Sequence, residues 1–131
     1  MERLIVRTSN RVEFQDITAK VQDLVHSSGI KSGVCYVFVP HTTAGITINE
    51  HSDPSVVADI VARLEALAPQ RGDYRHREGN SPAHIKSSLL GSSAAIFVEN
   101  GGLVLGTWQG VFFCEFDGPR TRTVMVKIVP D

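Results

Sequence analysis

The sequence predicts an α+β fold, a mixed or antiparallel β-sandwich with two or three helices in a single domain. Three observations predict it. Runs rich in Val, Ile, Phe and Thr occupy both ends of the chain, and two cap-plus-proline helix starts, Asp53-Pro54 and Ser81-Pro82, lie between them. Strands and helices do not alternate strictly, as a parallel βαβ fold would require. With 131 residues, 42% hydrophobic and 21% charged, residues 1–131 have the size and composition of one globular domain. A (β/α)₈ barrel, which takes roughly 200 residues or more, is excluded.

Each element has a local reason. Residues 4–8 and 12–17 read as two antiparallel strands joined by a turn at Ser9-Asn10. Thr18 is placed to cap a short helix with Val21, Leu24 and Val25 on one face, and Gly29 to end it in a left-handed conformation. Residues 34–39 are almost wholly apolar, as in a strand buried on both faces, and Pro40 stops it. Residues 46–50 alternate with period two, Ile46 and Ile48 facing one side. Asp53 then caps a helix opened by Pro54, with Val57, Ile60, Val61, Leu64 and Leu67 at helical spacing, ending before Pro69.

Residues 70–80 lack periodicity and read as a polar surface loop with Tyr74 and His76. Ser81-Pro82 opens a helix over 83–90, stopped by Gly91. The remainder reads as β: 95–99, a turn at Asn100-Gly101-Gly102, 103–105, 111–116, a turn at Asp117-Gly118-Pro119 and 123–129.

Thirteen Lys and Arg against 14 Asp and Glu give a net charge of −1 with no basic block, which disfavours nucleic acid and anionic membrane as partners. No stretch approaches the ~18–20 apolar residues of a membrane helix, and the start lacks signal-peptide organisation, so a cytoplasmic location is expected. Cys35 and Cys114 stand singly in apolar runs and read as small buried hydrophobes, not a zinc knuckle or a disulfide.

The chemistry-bearing residues are dispersed. His41 ends a strand, His76 lies in the polar loop, and His84 lies in the first turn of a helix, whose positive end favours a neutral ring able to take a proton or ligate a metal. No HExxH pair is present, so the alternative for each histidine singly is a structural or exposed side chain. Glu50, His51, Asp53 and Asp59 make an acid-rich region that could hold a divalent cation, although Asp53 is also the helix cap.

Thr42 and Thr43 are hydroxyl donors for an oxyanion or strand-ending residues. Lys86 and Ser87, near a helix start, mark an anion site or an ordinary capped helix. Glu115 precedes a turn followed by Arg120 and Arg122, which share a face in an extended chain and could clamp an anion. Trp108 and Gln109 interrupt a strand between two glycines, suggesting a bulge or a close approach.

As a set, His41-Thr42-Thr43-Ala44, Asn49-Glu50, Asp53-Pro54, Tyr74-Arg75-His76, Ala83-His84-Ile85-Lys86-Ser87-Ser88, Gly106-Thr107-Trp108-Gln109-Gly110 and Glu115-Phe116-Asp117-Gly118-Pro119-Arg120 resemble the secondary thiamine-phosphate synthase family. The resemblance runs nearly end to end. It implies an α+β sandwich assembled as a homotrimer, with a site at subunit boundaries, and joining of a pyrimidine pyrophosphate to a thiazole phosphate. That substitution asks for a divalent ion and cationic groups rather than three histidines. The expected function is therefore an enzyme acting on a phosphorylated small molecule.

In that reading His41, His76 and His84 form the central catalytic and metal-binding constellation. Glu50, Asp53 and Glu115 support it, and Thr42, Thr43, Lys86, Ser87, Trp108, Gln109, Arg120 and Arg122 bind substrate or anion. The expected cofactor is a divalent metal, zinc or another transition metal or magnesium. The alternatives are a metal-assisted phosphoester hydrolase with a different substrate, or a non-catalytic trimeric ligand- or metal-binding protein.

Overall fold

A computed structural model describes residues 1–131. The elements run β1 (Glu2–Arg7), β2 (Glu13–Asp16), α1 (Thr18–Ser28), β3 (Gly33–Phe38), β4 (Ala44–Glu50), α2 (Pro54–Leu67), α3 (Ser81–Leu90), β5 (Ser93–Glu99), β6 (Gly102–Leu103), β7 (Gln109–Glu115) and β8 (Thr121–Pro130). The α+β fold class is as expected, and every strand pairing is antiparallel. A five-stranded sheet has the order β1-β8-β3-β5-β6, and a three-stranded sheet the order β2-β7-β4.

The two sheets share one core. Val6, Cys35, Val37, Ile96, Val124 and Val126 of the larger sheet pack with Ile46, Val111 and Phe113 of the smaller, and Val21 and Val25 of α1 join them. A second cluster on the other face of the smaller sheet sets Phe112 and Cys114 against Leu64 of α2 and Ala83 of α3. The helices α2 and α3 therefore cover the smaller sheet. No helix is long and apolar enough to cross a membrane.

The helix punctuation works largely as read. Gly29 ends α1 at φ 71°, and the Asp53 side chain accepts the Ser55 N–H at the start of α2. Thr18 is not the cap of α1, which is Ile17; its hydroxyl donates to Asp16 and accepts the Val111 N–H, tying the helix to β7. Asn80, not Ser81, precedes α3, so Ser81 and Pro82 are its first residues.

Three expectations are corrected. The first two strands are not a hairpin: β1 pairs with β8 and β2 with β7, in different sheets. The Asp117-Gly118-Pro119 turn likewise carries the chain from one sheet to the other rather than closing a hairpin. There a Cβ on Gly118 would lie 2.2 Å from the Asn10 carbonyl oxygen, a backbone approach only glycine permits. Finally, β3 is buried on one face only, because Tyr36 and Phe38 are 49% and 44% exposed on the outer face of the larger sheet.

Candidate functional site

His41 follows the end of β3 and precedes β4, so two sheet strands fix its backbone. The Thr123 N–H of β8 donates to its Nε2 at 3.0 Å. That nitrogen must carry a lone pair, which assigns the proton to Nδ1. Burial, and then the nearby Arg122 guanidinium, hold the His41 pKa below the ordinary imidazole value. His84, on the first turn of α3, meets His76 edge to face, ring centroids 5.3 Å apart. His41, His76 and His84 line one open cleft of about 470 Å³ with Thr42, Thr43 and Arg120.

His76 reaches that cleft from a closed surface loop. Gln70 Nε2 donates to the Gly79 carbonyl at 3.0 Å across the neck, Arg11 donates to Gln70, and the Tyr74 hydroxyl donates to the Pro69 carbonyl. Gly79, at φ 81°, makes the final turn.

The cationic wall divides into a buried arginine and a half-exposed one. Arg122, 5% exposed, donates from Nε and Nη2 to both carboxylate oxygens of Glu115, at 2.9 and 2.5 Å, and from Nη2 to Thr43 Oγ1 at 2.9 Å. Glu115 is fully buried and also accepts the Thr8 hydroxyl and the Asp117 N–H. Burial pushes its pKa up, but the bonds from Arg122, Thr8 and the Asp117 amide outweigh that and hold it below the usual carboxylate value.

Glu115 is thereby a structural partner of Arg122 and not a free acid or base. Arg120 is half exposed, joined to the Asp117 carboxylate at 2.8 Å, and remains at the cleft. Both arginines line the cleft; Arg122 is bound to Glu115 and Thr43, and Arg120 is the exposed cation there. Lys86 is 1% exposed and ion-paired with Glu65 of α2, which places its ammonium in the helix packing and away from an anion. Its neighbour Ser87 borders a basin adjoining the cleft.

Glu50, Asp53, Trp108 and Gln109 lie elsewhere. Ala44 starts β4 beside His41, and Glu50 ends the same strand six residues later, about 20 Å away at strand rise. Gln109 pairs with Glu50 in the ladder, so the Trp108 loop belongs to the far end as well. Trp108 is 62% exposed there, and Gln109 Oε1 accepts the Gly106 N–H, locking the loop.

The far end holds a pair that sequence reading left undistinguished, His51 Nδ1 with Asp16 Oδ2 at 2.8 Å. A Cβ on Gly110 would lie 2.3 Å from that nitrogen, so the second glycine of Gly-Thr-Trp-Gln-Gly was the available signal of a close approach.

The metal-binding expectation is corrected for the chain by itself. No group of three His, Cys, Asp or Glu side chains is placed to hold an ion. The reasons are visible: His41 Nε2 faces the Thr123 amide, Glu115 faces Arg122, and Glu50 and Asp53 stand at the other end of the sheet.

Residues 2–131 match the family model described as UPF0047 protein YjbQ-like. UPF0047 protein YugU of Bacillus subtilis is 49% identical over 130 residues, covering 98% of each chain. A UPF0047 protein of Methanocaldococcus jannaschii is 52% identical over 126 residues, covering 96% of this chain and 91% of the relative. A solved YjbQ/UPF0047 structure from Clostridium acetobutylicum superposes with a TM-score of 0.97 at 56% identity, covering 98% of this chain and 100% of that one. A YbjQ-like protein of Sulfolobus solfataricus superposes at 0.95 and 36% identity, covering 99% and 96%.

These findings overturn the thiamine-phosphate synthase resemblance, because the matching family and relatives are described as UPF0047 and none as such a synthase. The chain belongs to the YjbQ-like UPF0047 family.

Proposed function

We propose that the chain is an enzyme acting on a phosphorylated small molecule bound in the cleft of His41, His76 and His84. The carrying observation is that three imidazoles, two threonines and the half-exposed guanidinium of Arg120 share one polar-walled cleft. Arg120 balances phosphate charge, and His41, holding its proton on Nδ1, donates a hydrogen bond to a phosphate oxygen. The reaction is hydrolysis of a phosphoester. Water attacks phosphorus and gives a proton to an imidazole of the His76/His84 pair, a P–O bond forms as the ester P–O bond breaks, and the same pair returns that proton to the departing oxygen, which leaves as an alcohol. Proton transfer and anion contact are assigned to the imidazoles because one chain supplies no ligand triad.

The test couples phosphate binding, by calorimetry, to hydrolysis of a chromogenic phosphomonoester. Arg120→Ala is expected to weaken phosphate binding at least about tenfold, as for loss of a charge-assisted hydrogen bond. His84→Ala is expected to lower turnover about 100-fold or more with binding retained, the size of a general acid–base contribution. Unchanged turnover in His41→Ala and His84→Ala would remove the catalytic reading.

A second reading has its own observation. Ile5, Tyr36, Phe38, Phe97 and Val129 stand 39–69% exposed on the larger sheet, whose outer face no helix covers. A contiguous apolar face of this kind marks an interface. Its two margins differ in charge, Arg3 and Arg7 alternating with Ile5 on β1 and Glu99 following Phe97 on β5. Opposite margins favour a head-to-tail contact that closes a ring, and supports assembly as a homotrimer. The two unpaired buried thiols, Cys35 and Cys114, support a reducing, cytoplasmic setting.

A further inference from the structure

We infer that the phosphorylated molecule is a polyol or sugar phosphate, its hydroxyl groups read by acceptor oxygens beside the histidine cleft; this rests on the phosphate reading of that cleft. His41, Thr42 and His84 line not only the cleft but also an adjoining open basin of about 510 Å³, whose other walls include Ser87, Ser88 and Ser92. The basin thus continues the cleft along one side of His84, and a ligand held at Arg120 can extend into it.

The direction of the existing hydrogen bonds decides what the basin accepts. Ser87 Oγ donates to the Ala83 carbonyl at 2.7 Å, and Ser88 Oγ donates to the His84 carbonyl at 2.9 Å. Each hydroxyl proton is committed to the helix backbone. The oxygens therefore face a ligand with lone pairs, and each accepts but does not donate. Asn80, on the cleft wall, behaves the same way: its Nδ2 donates to Asp117 at 3.0 Å, which fixes the amide orientation, and its buried Oδ1 has no partner.

Acceptor oxygens repel phosphate oxygens and bind O–H or N–H donors. Donors and cations at Arg120 and His41, with the Asn80 acceptor on the same cleft wall and the Ser87 and Ser88 acceptors in the adjoining basin, are complementary to a molecule with an anionic phosphate and a hydroxylated body. A third basin, which also borders His84, is bounded by Tyr74, Ile85 and Arg75 and would suit an aromatic body instead. The unpaired acceptor of Asn80 and the two committed serines favour the hydroxylated one.

The experiment is calorimetric titration of the full chain with inorganic phosphate, glycerol 3-phosphate, n-propyl phosphate and phenyl phosphate, repeated in Ser88→Ala. Alanine at this exposed helical position keeps or raises helix propensity, so the variant folds. Glycerol 3-phosphate is expected to bind about threefold to tenfold more tightly than n-propyl phosphate, the size of one net neutral hydrogen bond or more. Ser88→Ala is expected to erase most of that difference and leave inorganic phosphate affinity unchanged. Equal binding of the glycerol and propyl esters, tighter binding of phenyl phosphate, or an equal loss for all four ligands in Ser88→Ala overturns the polyol inference while phosphate binding stands. No binding of inorganic phosphate overturns the phosphate reading and this inference with it.

Discussion

Replacing Arg122 by Ala tests the structural account of the site most directly. The guanidinium is 5% exposed and its partner Glu115 is fully buried, so water cannot substitute for the lost cation. Removing it deletes the bonds to both Glu115 oxygens and to Thr43, and leaves a carboxylate held only by the Thr8 hydroxyl and the Asp117 amide. Breaking a buried pair from one side costs about 3–5 kcal/mol, against a total stability of about 5–15 kcal/mol for a domain. At this chain length that corresponds to a melting temperature lower by roughly 10–25 °C.

Urea and thermal denaturation at pH 7 measure the cost, and a double-mutant cycle isolates the pair. Arg122→Met with Glu115→Met together should cost much less than the sum of the two single changes, because no charge is left unpaired. The pH dependence has a definite sign. Glu115 titrates below its unfolded value, so its stabilisation is present above that value, about 4.3, and is lost as pH falls through the depressed folded pKa. Wild type and Glu115→Gln should therefore differ at pH 7 and converge as pH falls through the depressed folded pKa. An Arg122→Ala cost under about 1 kcal/mol, or additive single changes, would refute the buried pair as the organiser of the cleft.

Other perturbations read other parts of the molecule. The His41 ring should titrate by NMR with a midpoint below the ordinary imidazole value of about 6.5, and a higher midpoint would contradict the neutral Nδ1–H assignment. Gly118→Ala drives a Cβ to within 2.2 Å of the Asn10 carbonyl, and several kcal/mol of destabilisation should follow in urea; a change within about 0.5 kcal/mol would disprove the close approach. Phe97→Asp should shift sedimentation equilibrium from trimer to monomer, whereas a monomeric wild type ends the assembly reading. Cys35 and Cys114 should resist a thiol reagent in the native protein and react on unfolding, since burial raises both thiols, Cys35 to about 11.

The helices were legible because their signals are local. Asp53-Pro54 states a cap and a first turn within two residues, and Gly29 states a left-handed end in one. Strand partners were not, because a hydrophobic pattern tells which side chains face inward and not which strand lies alongside. Ser9-Asn10 and Asp117-Gly118-Pro119 carry turn composition, yet each joins strands of different sheets. The same limit explains β3. Its unbroken apolar run reads as burial on two faces, whereas Tyr36, Phe38 and their neighbours present one bare face that only another surface could cover.

For the site, adjacency in sequence misled in one direction only. His41, His76 and His84 are remote from one another in the chain and converge, because the β3–β4 connection, the 70–79 loop and α3 meet at one end of the smaller sheet. His41 and Glu50, only nine positions apart, are divided by the length of β4. Trp108 and Glu115 are divided in the same way by β7, which runs antiparallel beside β4 with Glu50 opposite Gln109 and Ala44 opposite Glu115. A seven-residue strand separates its ends by about 20 Å, so the motif-bearing segments before and after β4, and before and after β7, form two clusters at opposite ends of one sheet. One cluster is the histidine cleft with its buried Glu115–Arg122 pair; the other is the His51–Asp16 pair with the Trp108 loop. Bringing all of these residues to one centre within a single chain would require the chain to fold back within a strand, which a β-ladder forbids.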